Sequence, residues 1–335
     1  MRSERQMGVG ELIGKLFGAG EARDDLPLRA YGKLPMYAEY RRLELSPGVP
    51  TAFSQWMDAG RLAWVRSPTR SEAGVTRPTR LLLRLPETKE LVVASVWDSR
   101  DSLGRVFPFA FFVVCATEAL GRDALEQWVA ALSIQRTFDR FHGELMSIGR
   151  GGDFYRLYQK RTVSLRGDDL SGRLQTLRAD AGRIAADAWF KALGLDQAVE
   201  AAAWFAGLLR RAERWRAQPA LLAELAVSLP LAAGFSFSAQ AVLWLEWLSP
   251  LLAKAGKRPW LVVPAEDPKS ATAMHIIVRD PLPDDFQLLT SDDRRYRYVE
   301  HAAELAQSES GAALPVDPPD GSLAGWLQRH VPQPA

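Results

Sequence analysis

The spacing of apolar residues changes period several times along the chain, and those changes mark its elements. Between residues 47 and 65, Val49, Phe53, Trp56, Met57 and Trp64 recur at helical spacing, which predicts a helix with one buried face. Ser46 stands as a candidate N-cap, with Pro47 at the first helical position and Pro50 in the first turn. A polar, turn-rich stretch at 66–79 leads into three apolar runs at 81–85, 91–96 and 109–115. The first two flank Pro86-Glu87-Thr88-Lys89 and read as a hairpin. Pro108 cannot donate to a ladder, so pairing of the third run is expected to start at or after it. Near-continuous apolarity in these runs predicts a sheet covered by helices on both faces.

Upstream, residues 29–35 predict a short strand closed by a proline-marked turn. Beyond residue 118 the pattern becomes helical. Leu120, Ala124, Leu125, Trp128, Val129 and Leu132 mark one helix, and the alanine- and arginine-rich stretch from 168 to 229 holds about three more. A further helix at 238–255 carries Val242, Leu243, Trp244 and Trp247 and is expected to end or kink at Pro250. Runs at 260–263 and 274–278 predict two closing strands able to rejoin the sheet. The resulting organisation is a flexible N-terminal extension (1–27), one α/β domain (28–290) and a C-terminal tail (291–335). Within the domain, a sheet-rich part runs to about 116, a helix-rich part to about 255 and the closing strands to about 290. No internal repeat is visible.

Composition narrows the class. With 47% hydrophobic and 24% charged residues the chain is expected to fold. Its 42 basic and 40 acidic side chains leave a formal charge of +2, which does not favour a nucleic-acid partner. The lone Cys115 closes an apolar run, so an intramolecular disulfide is excluded and inert burial is expected. Residues 7–17 are interrupted by Glu11, Lys15 and glycines before any signal-like apolar region forms. No apolar run approaches the roughly 20 residues that span a bilayer. These features lead to the expectation of a cytoplasmic protein without membrane insertion.

Known catalytic patterns are not met. Gly10, Gly14 and Lys15 fall one residue short of a phosphate-binding loop, and Leu16 replaces its hydroxyl. Phe154 stands where a third glycine would complete a dinucleotide fingerprint after Gly149 and Gly151. Gly234-Phe235-Ser236-Phe237-Ser238 lacks the second glycine of a nucleophile elbow. His142, His275, His301 and His330 are scattered without ligand spacing, and the pairs Asp284-Asp285 and Asp292-Asp293 lie in turn-like contexts where solvation is expected. No catalytic, cofactor-binding or metal-ligating residue is assigned, and the expectation is a protein that is not an enzyme.

The charged segment 99–109, set between two apolar runs, can be read on its own chemistry. Ser99, Asp101 and Ser102 can accept from nearby backbone N–H groups, Gly104 can take a positive φ, and Arg105 can fork onto Asp98 or Asp101. That describes a rigid structural corner ahead of a presented binding edge. Lys33 is expected to lay its stem on apolar surface with the ammonium in water. Most of the 11 tryptophans sit in amphipathic helices and belong to the core, whereas Trp97 and Trp326 border polar sequence and are candidates for a partner surface.

Taken in order, Gly32-Lys33-Leu34-Pro35, Glu39-Tyr40, Phe53 with Trp56, and the loop carrying Ser99, Arg100, Asp101, Gly104, Arg105, Phe107 and Pro108 resemble the N-terminal part of the TagF/ImpM family of type VI secretion accessory proteins. Ala38 stands where that family usually has glycine. The resemblance is strongest over residues 28–116, with weaker matches at Leu243-Trp244 and 281–286. It implies a three-layer α/β sandwich, a mixed sheet with helices on both faces. It also implies a cytoplasmic regulator of a bacterial contractile injection machine, repressing assembly after translation by binding a forkhead-associated scaffold protein. Some family members are fused to a phosphatase domain, and no phosphatase motif is present here. The candidate interaction residues are therefore Gly32, Lys33, Leu34, Pro35, Trp97, Ser99, Arg100, Asp101, Gly104, Arg105, Phe107 and Pro108. Two other readings stand beside it: a structural subunit of the machine, and an enzyme or anion-binding protein in which Arg100, Asp101 and Arg105 gather around an anionic ligand.

Overall fold

The structure, a computed structural model, describes residues 25–66, 78–86, 88–148, 153–165, 169–256, 258–265, 271–289, 300–301 and 316–331. Among the described residues, its centre is a nine-stranded sheet. The strands are β2 (Arg29–Gly32), β3 (Arg41–Leu43), β4 (Thr79–Arg84), β5 (Glu90–Trp97), β6 (Phe109–Ala116), β8 (Ala226–Leu231), β9 (Trp260–Pro264), β10 (Thr272–Ile277) and β11 (Glu300–His301). They lie in the order β11-β8-β10-β9-β4-β5-β6-β2-β3. Every pairing is antiparallel except the parallel β11–β8 pair, so the sheet is mixed. A separate two-stranded ribbon joins β1 (Asp25–Pro27) to β7 (Thr162–Ser164).

Both faces of the sheet are buried, and the two-residue pleat sorts the side chains between two cores. Leu82, Leu91, Val93, Phe109, Phe111 and Val113 enter one core, while Leu81, Leu83, Val92, Ala94, Val96, Ala110 and Phe112 enter the other. The first core is roofed by α2 (Ala124–Ser147), α3 (Phe154–Tyr158), α4 (Leu170–Gly182), α5 (Ala186–Ala192), α6 (Ala198–Ala217), α7 (Pro219–Ala223), α8 (Phe237–Leu252) and α9 (Leu323–Arg329). The second is roofed by α1 (Val49–Arg66) and a 3-10 helix, Pro283–Leu289. Helices, sheet and helices make the expected three-layer α/β sandwich. Continuous apolarity in β5 and β6 follows from that arrangement, because neither face meets water.

The β4–β5 hairpin and both closing strands form as expected, and they rejoin the sheet, β9 beside β4 and β10 beside β9. Pairing in β6 starts at Phe109, one residue after Pro108. The helix expected from Pro47 begins at Val49 instead, because Gly48 takes φ 96° and Ser46 lies outside the helix, its carbonyl accepting from the Thr51 hydroxyl at 2.9 Å. Pro250 is accommodated inside α8, which ends at Leu252. The stretch 168–229, in which only helices are expected, ends in a strand the sequence reading does not include: β8, an inner strand between β10 and β11 whose Val227, Leu229 and Leu231 join the first core.

Boundary expectations change in two places. Asp25–Pro27, placed in the flexible extension, pairs with β7; the rest of the extension, 1–24, lies outside the described residues. Within the expected tail, α9 packs on the helical layer, with Trp326 fully buried 5.2 Å from the Phe190 ring and 4.5 Å from the Phe205 ring. Residues 290–299 and 302–315 are outside the described residues, as are the 149–152 turn and 67–77.

Asp285, expected to be solvated, is buried and receives a bidentate ion pair from Arg279 at 2.7 and 2.6 Å. This pair holds the start of the 3-10 helix against α1, where Gly60 lets Phe286 approach so closely that a Cβ on Gly60 would lie 2.4 Å from the Phe286 Cβ. Cys115 is buried, and burial first, then the Glu90 carboxylate, pushes its thiol up to about 12. Among the described residues no helix is long and apolar enough to cross a membrane.

Candidate functional site

The two segments that carry the sequence resemblance meet at one corner of the sheet. β2 runs antiparallel to β6, so Gly32 faces Phe109 in register and the following Lys33 arrives beside the loop that precedes β6. Gly32 has φ 135°, and a Cβ there would sit 2.2 Å from the Pro108 carbonyl oxygen and 2.6 Å from the Phe109 Cα. Glycine is thus required both by the backbone angle and by the close approach. Leu34 is buried in the first core, and its carbonyl accepts from the Tyr37 N–H at 3.0 Å, closing the turn in which Pro35 sets the first central position.

Asp101 is the centre of this corner. Its side chain has no exposed area and its carboxylate accepts four hydrogen bonds. The Lys33 ammonium donates at 2.9 Å and the Arg105 Nε at 2.7 Å, both to Oδ2. The backbone N–H groups of Leu103 and Arg105 donate to Oδ1 at 3.0 and 2.9 Å. Burial alone would raise the Asp101 pKa. The Lys33 ammonium, the Arg105 amide and guanidinium and the Leu103 amide outweigh it and hold the carboxyl well below the usual carboxylate range. Gly104 takes φ 81°, the Gly104 N–H reaches the Asp101 carbonyl at 2.9 Å, and the Asp101 N–H reaches the Arg105 carbonyl at 3.0 Å.

Arg105 extends the same unit to the turn after β2, its Nη2 donating to the Ala38 carbonyl at 2.5 Å. The Ser102 N–H donates to the Tyr37 carbonyl at 2.9 Å, so the loop is tied to that turn twice. Position 38 contributes here through its carbonyl, which alanine supplies as well as glycine does. Of the two carboxylates considered for Arg105, the structure selects Asp101; Asp98 instead caps the adjacent Ser99 N–H at 3.1 Å.

Lys33 corrects the expectation of a solvated ammonium. The residue is 6% exposed, its charge met by Asp101 and by the Tyr40 ring, whose centroid is 5.1 Å from Nζ. Tyr40 stacks on Tyr31 at 5.6 Å and meets Phe107 edge-on at 4.9 Å. Tyr31 donates its hydroxyl to both carboxylate oxygens of Asp58 on α1, at 2.7 and 2.8 Å. Burial and then this bond to Asp58 raise the Tyr31 pKa. Arg61, one turn further along α1, donates to the Val106 carbonyl at 3.3 Å. Tyr31, Asp58 and Arg61 are not singled out by the sequence, since their roles arise from contacts of β2 and the loop before β6 with the second half of α1.

The remaining candidates divide by exposure. Ser99 accepts from the Phe107 N–H at 3.1 Å and Arg100 pairs its backbone with Val106, which makes a small antiparallel bridge at the loop base. Phe107 and Pro108 are buried, whereas the Arg100 side chain is exposed. Trp97 does not reach the surface. As the last residue of β5 it points into the first core, 6% exposed, against Phe109, Phe111 and His142. Trp326 is likewise interior. The apolar side chains that face water here are Leu103 at 69%, Val106 at 39% and Tyr40 at 36% exposure.

Comparison with known proteins adds little to this geometry. No family model matches the chain, and no curated protein matches it. Among solved structures, it is similar to PA0076 from Pseudomonas aeruginosa PAO1, at 19% identity and a TM-score of 0.25. The match covers 36% of this chain and 62% of that one. At that score the likeness carries no argument about architecture or activity.

Lys33 and Arg105 are both committed to Asp101, and Asp101 is saturated by donors, so the three form a closed structural unit. Among the described residues, no three of histidine, cysteine, aspartate and glutamate are grouped to hold a metal ion. Exposed at the corner are the side chains of Leu103, Val106, Tyr40 and Arg100.

Proposed function

We propose that the chain is a non-enzymatic cytoplasmic regulator of a type VI secretion system, a repressor that acts by occupying a surface on a scaffold protein of the apparatus, in keeping with its resemblance to the TagF/ImpM family. The observation that carries this reading is the convergence of the family-like segments. Gly32-Lys33-Leu34-Pro35 and the loop from Ser99 to Pro108, separated by more than sixty residues, build one corner through the Lys33–Asp101–Arg105 cluster and the Gly32–Pro108 contact. A motif whose parts make one another's geometry is less easily explained as a chance string match. The rigid corner supports binding without turnover, because its charged groups are paired internally rather than aimed at a reacting centre.

The expected partner is a forkhead-associated scaffold, contacted through the exposed Leu103, Val106 and Tyr40 face. The test is physiological. Deleting the chain from its host is expected to raise type VI secretion and overproducing it to suppress secretion, with affinity purification from the native host recovering the scaffold. Unchanged secretion in both directions would remove the repressor reading. Stoichiometric copurification with baseplate or membrane components of the active machine would replace it with a structural-subunit role.

A further inference from the structure

On the helical side of the sheet, well separated in sequence from the loop corner, β4, α2 and α4 direct three arginines into one cavity. Arg80 comes from β4, Arg136 from α2 and Arg173 from α4. The cavity has a volume of about 510 Å3, within the range of about 300–1,000 Å3 that small-molecule sites occupy. Leu132 and Leu177 form apolar parts of its wall, and Ser236 and Ser238, at the start of α8, place hydroxyls on its rim. Asp180 is the carboxylate among the described lining residues, and it already pairs with Arg183 at 3.0 Å.

Among the described lining residues three arginines stand against one carboxylate, so positive charge is in excess in this concavity, and low-dielectric walls focus such a field on an incoming anion. Arg80 has donor capacity to spare. Its Nη2 reaches Asp139 only at 3.5 Å, and its Nε is buried with no hydrogen-bond partner. A buried guanidinium N–H without an acceptor is costly unless a ligand supplies one. Planar arginine forks match the oxygens of a phosphoryl group better than ammonium groups do, and a bare ion would leave most of the space unfilled.

We propose that this cavity binds a small phosphorylated molecule, with its phosphoryl oxygens on Arg80, Arg136 and Arg173 and its organic body against Leu132 and Leu177. The site is independent of the partner-binding face, so its failure would leave the proposed function untouched.

Isothermal titration calorimetry of the full chain in a phosphate-free buffer tests it, with pyrophosphate and ADP as probes and adenosine as the uncharged control. Submillimolar binding of either anionic probe, with adenosine inert, is expected. Arg136→Gln, an exposed position that leaves the core intact, is expected to weaken binding about tenfold at an unchanged melting temperature. Asp180→Asn removes the opposing carboxylate and is expected to tighten binding about threefold, a gain that unfolding cannot mimic. Absence of heat from both anionic probes at about 5 mM, or equal affinity of the wild type and both variants, would overturn the proposal.

Discussion

Lys33 and Asp101 show how one buried ion pair can hold two distant segments in register. Removing one partner of such a pair leaves a charge without compensation, so Lys33→Met is expected to destabilise the fold by about 3 kcal/mol, read as a lower urea midpoint. Gly32→Ala meets both the Pro108 carbonyl and a strained φ, and about 3 kcal/mol or more is expected for it by the same measurement. The acid limb of stability carries a further signature of Asp101. Its native pKa is depressed, so its contribution is complete above the unfolded carboxylate pKa of about 4 and is lost as pH falls through the lower native value. The stability gap between wild type and Asp101→Asn is therefore expected to shrink as pH drops below about 4. A gap that stays constant from neutral pH into strong acid would show that the ionised carboxylate is not what the donors hold.

Among the elements, α9 is the one whose role the linear pattern hides. Seven residues long, it has too few turns to be stable alone. It is held by Trp326 among Phe190, Phe205 and His330, by a Ser322 side chain capping the Gly325 N–H at 3.1 Å, and by an isolated bridge between Ser322 and Ala185. Trp326→Ala is expected to cost about 3–5 kcal/mol and to lower the melting temperature of the whole domain in a single transition. A local loss confined to the C-terminus, with the main transition unmoved, would assign α9 to a separable appendage.

For the molecule as a whole, the three-layer architecture places the loop corner and the arginine-lined cavity in different surroundings, so their functions can be separated by mutation. Leu103→Asp alters an exposed side chain that supports no core contact, and it is expected to abolish scaffold capture in pull-downs without moving the melting temperature. Arg105→Ala is expected to do the reverse, lowering the melting temperature while leaving the affinity of the folded fraction nearly intact, because its bonds go to Asp101 and Ala38 within the chain. Equal melting temperatures with lost binding would make Arg105 a contact residue instead.

Several features were legible in the linear chain because they rest on local rules. The turn after Leu34, the positive φ of Gly104 and the exclusion of Pro108 from the ladder all follow from the backbone chemistry of a few neighbouring residues. The α/β class and the burial of the sheet on both faces were readable from the unbroken apolar runs of β5 and β6. Other features depend on which segments meet. Lys33 could have been solvated or paired until β2 was laid beside β6, which placed Asp101 within its reach. Trp97 stands next to a charged loop in sequence, yet the pleat turns it into the core, and β8 is not marked as a strand until two neighbouring strands pair with it. Residue type and spacing specify periodicity and backbone conformation, while the burial and pairing of a polar group are set by partners far along the chain, and those are supplied by folding.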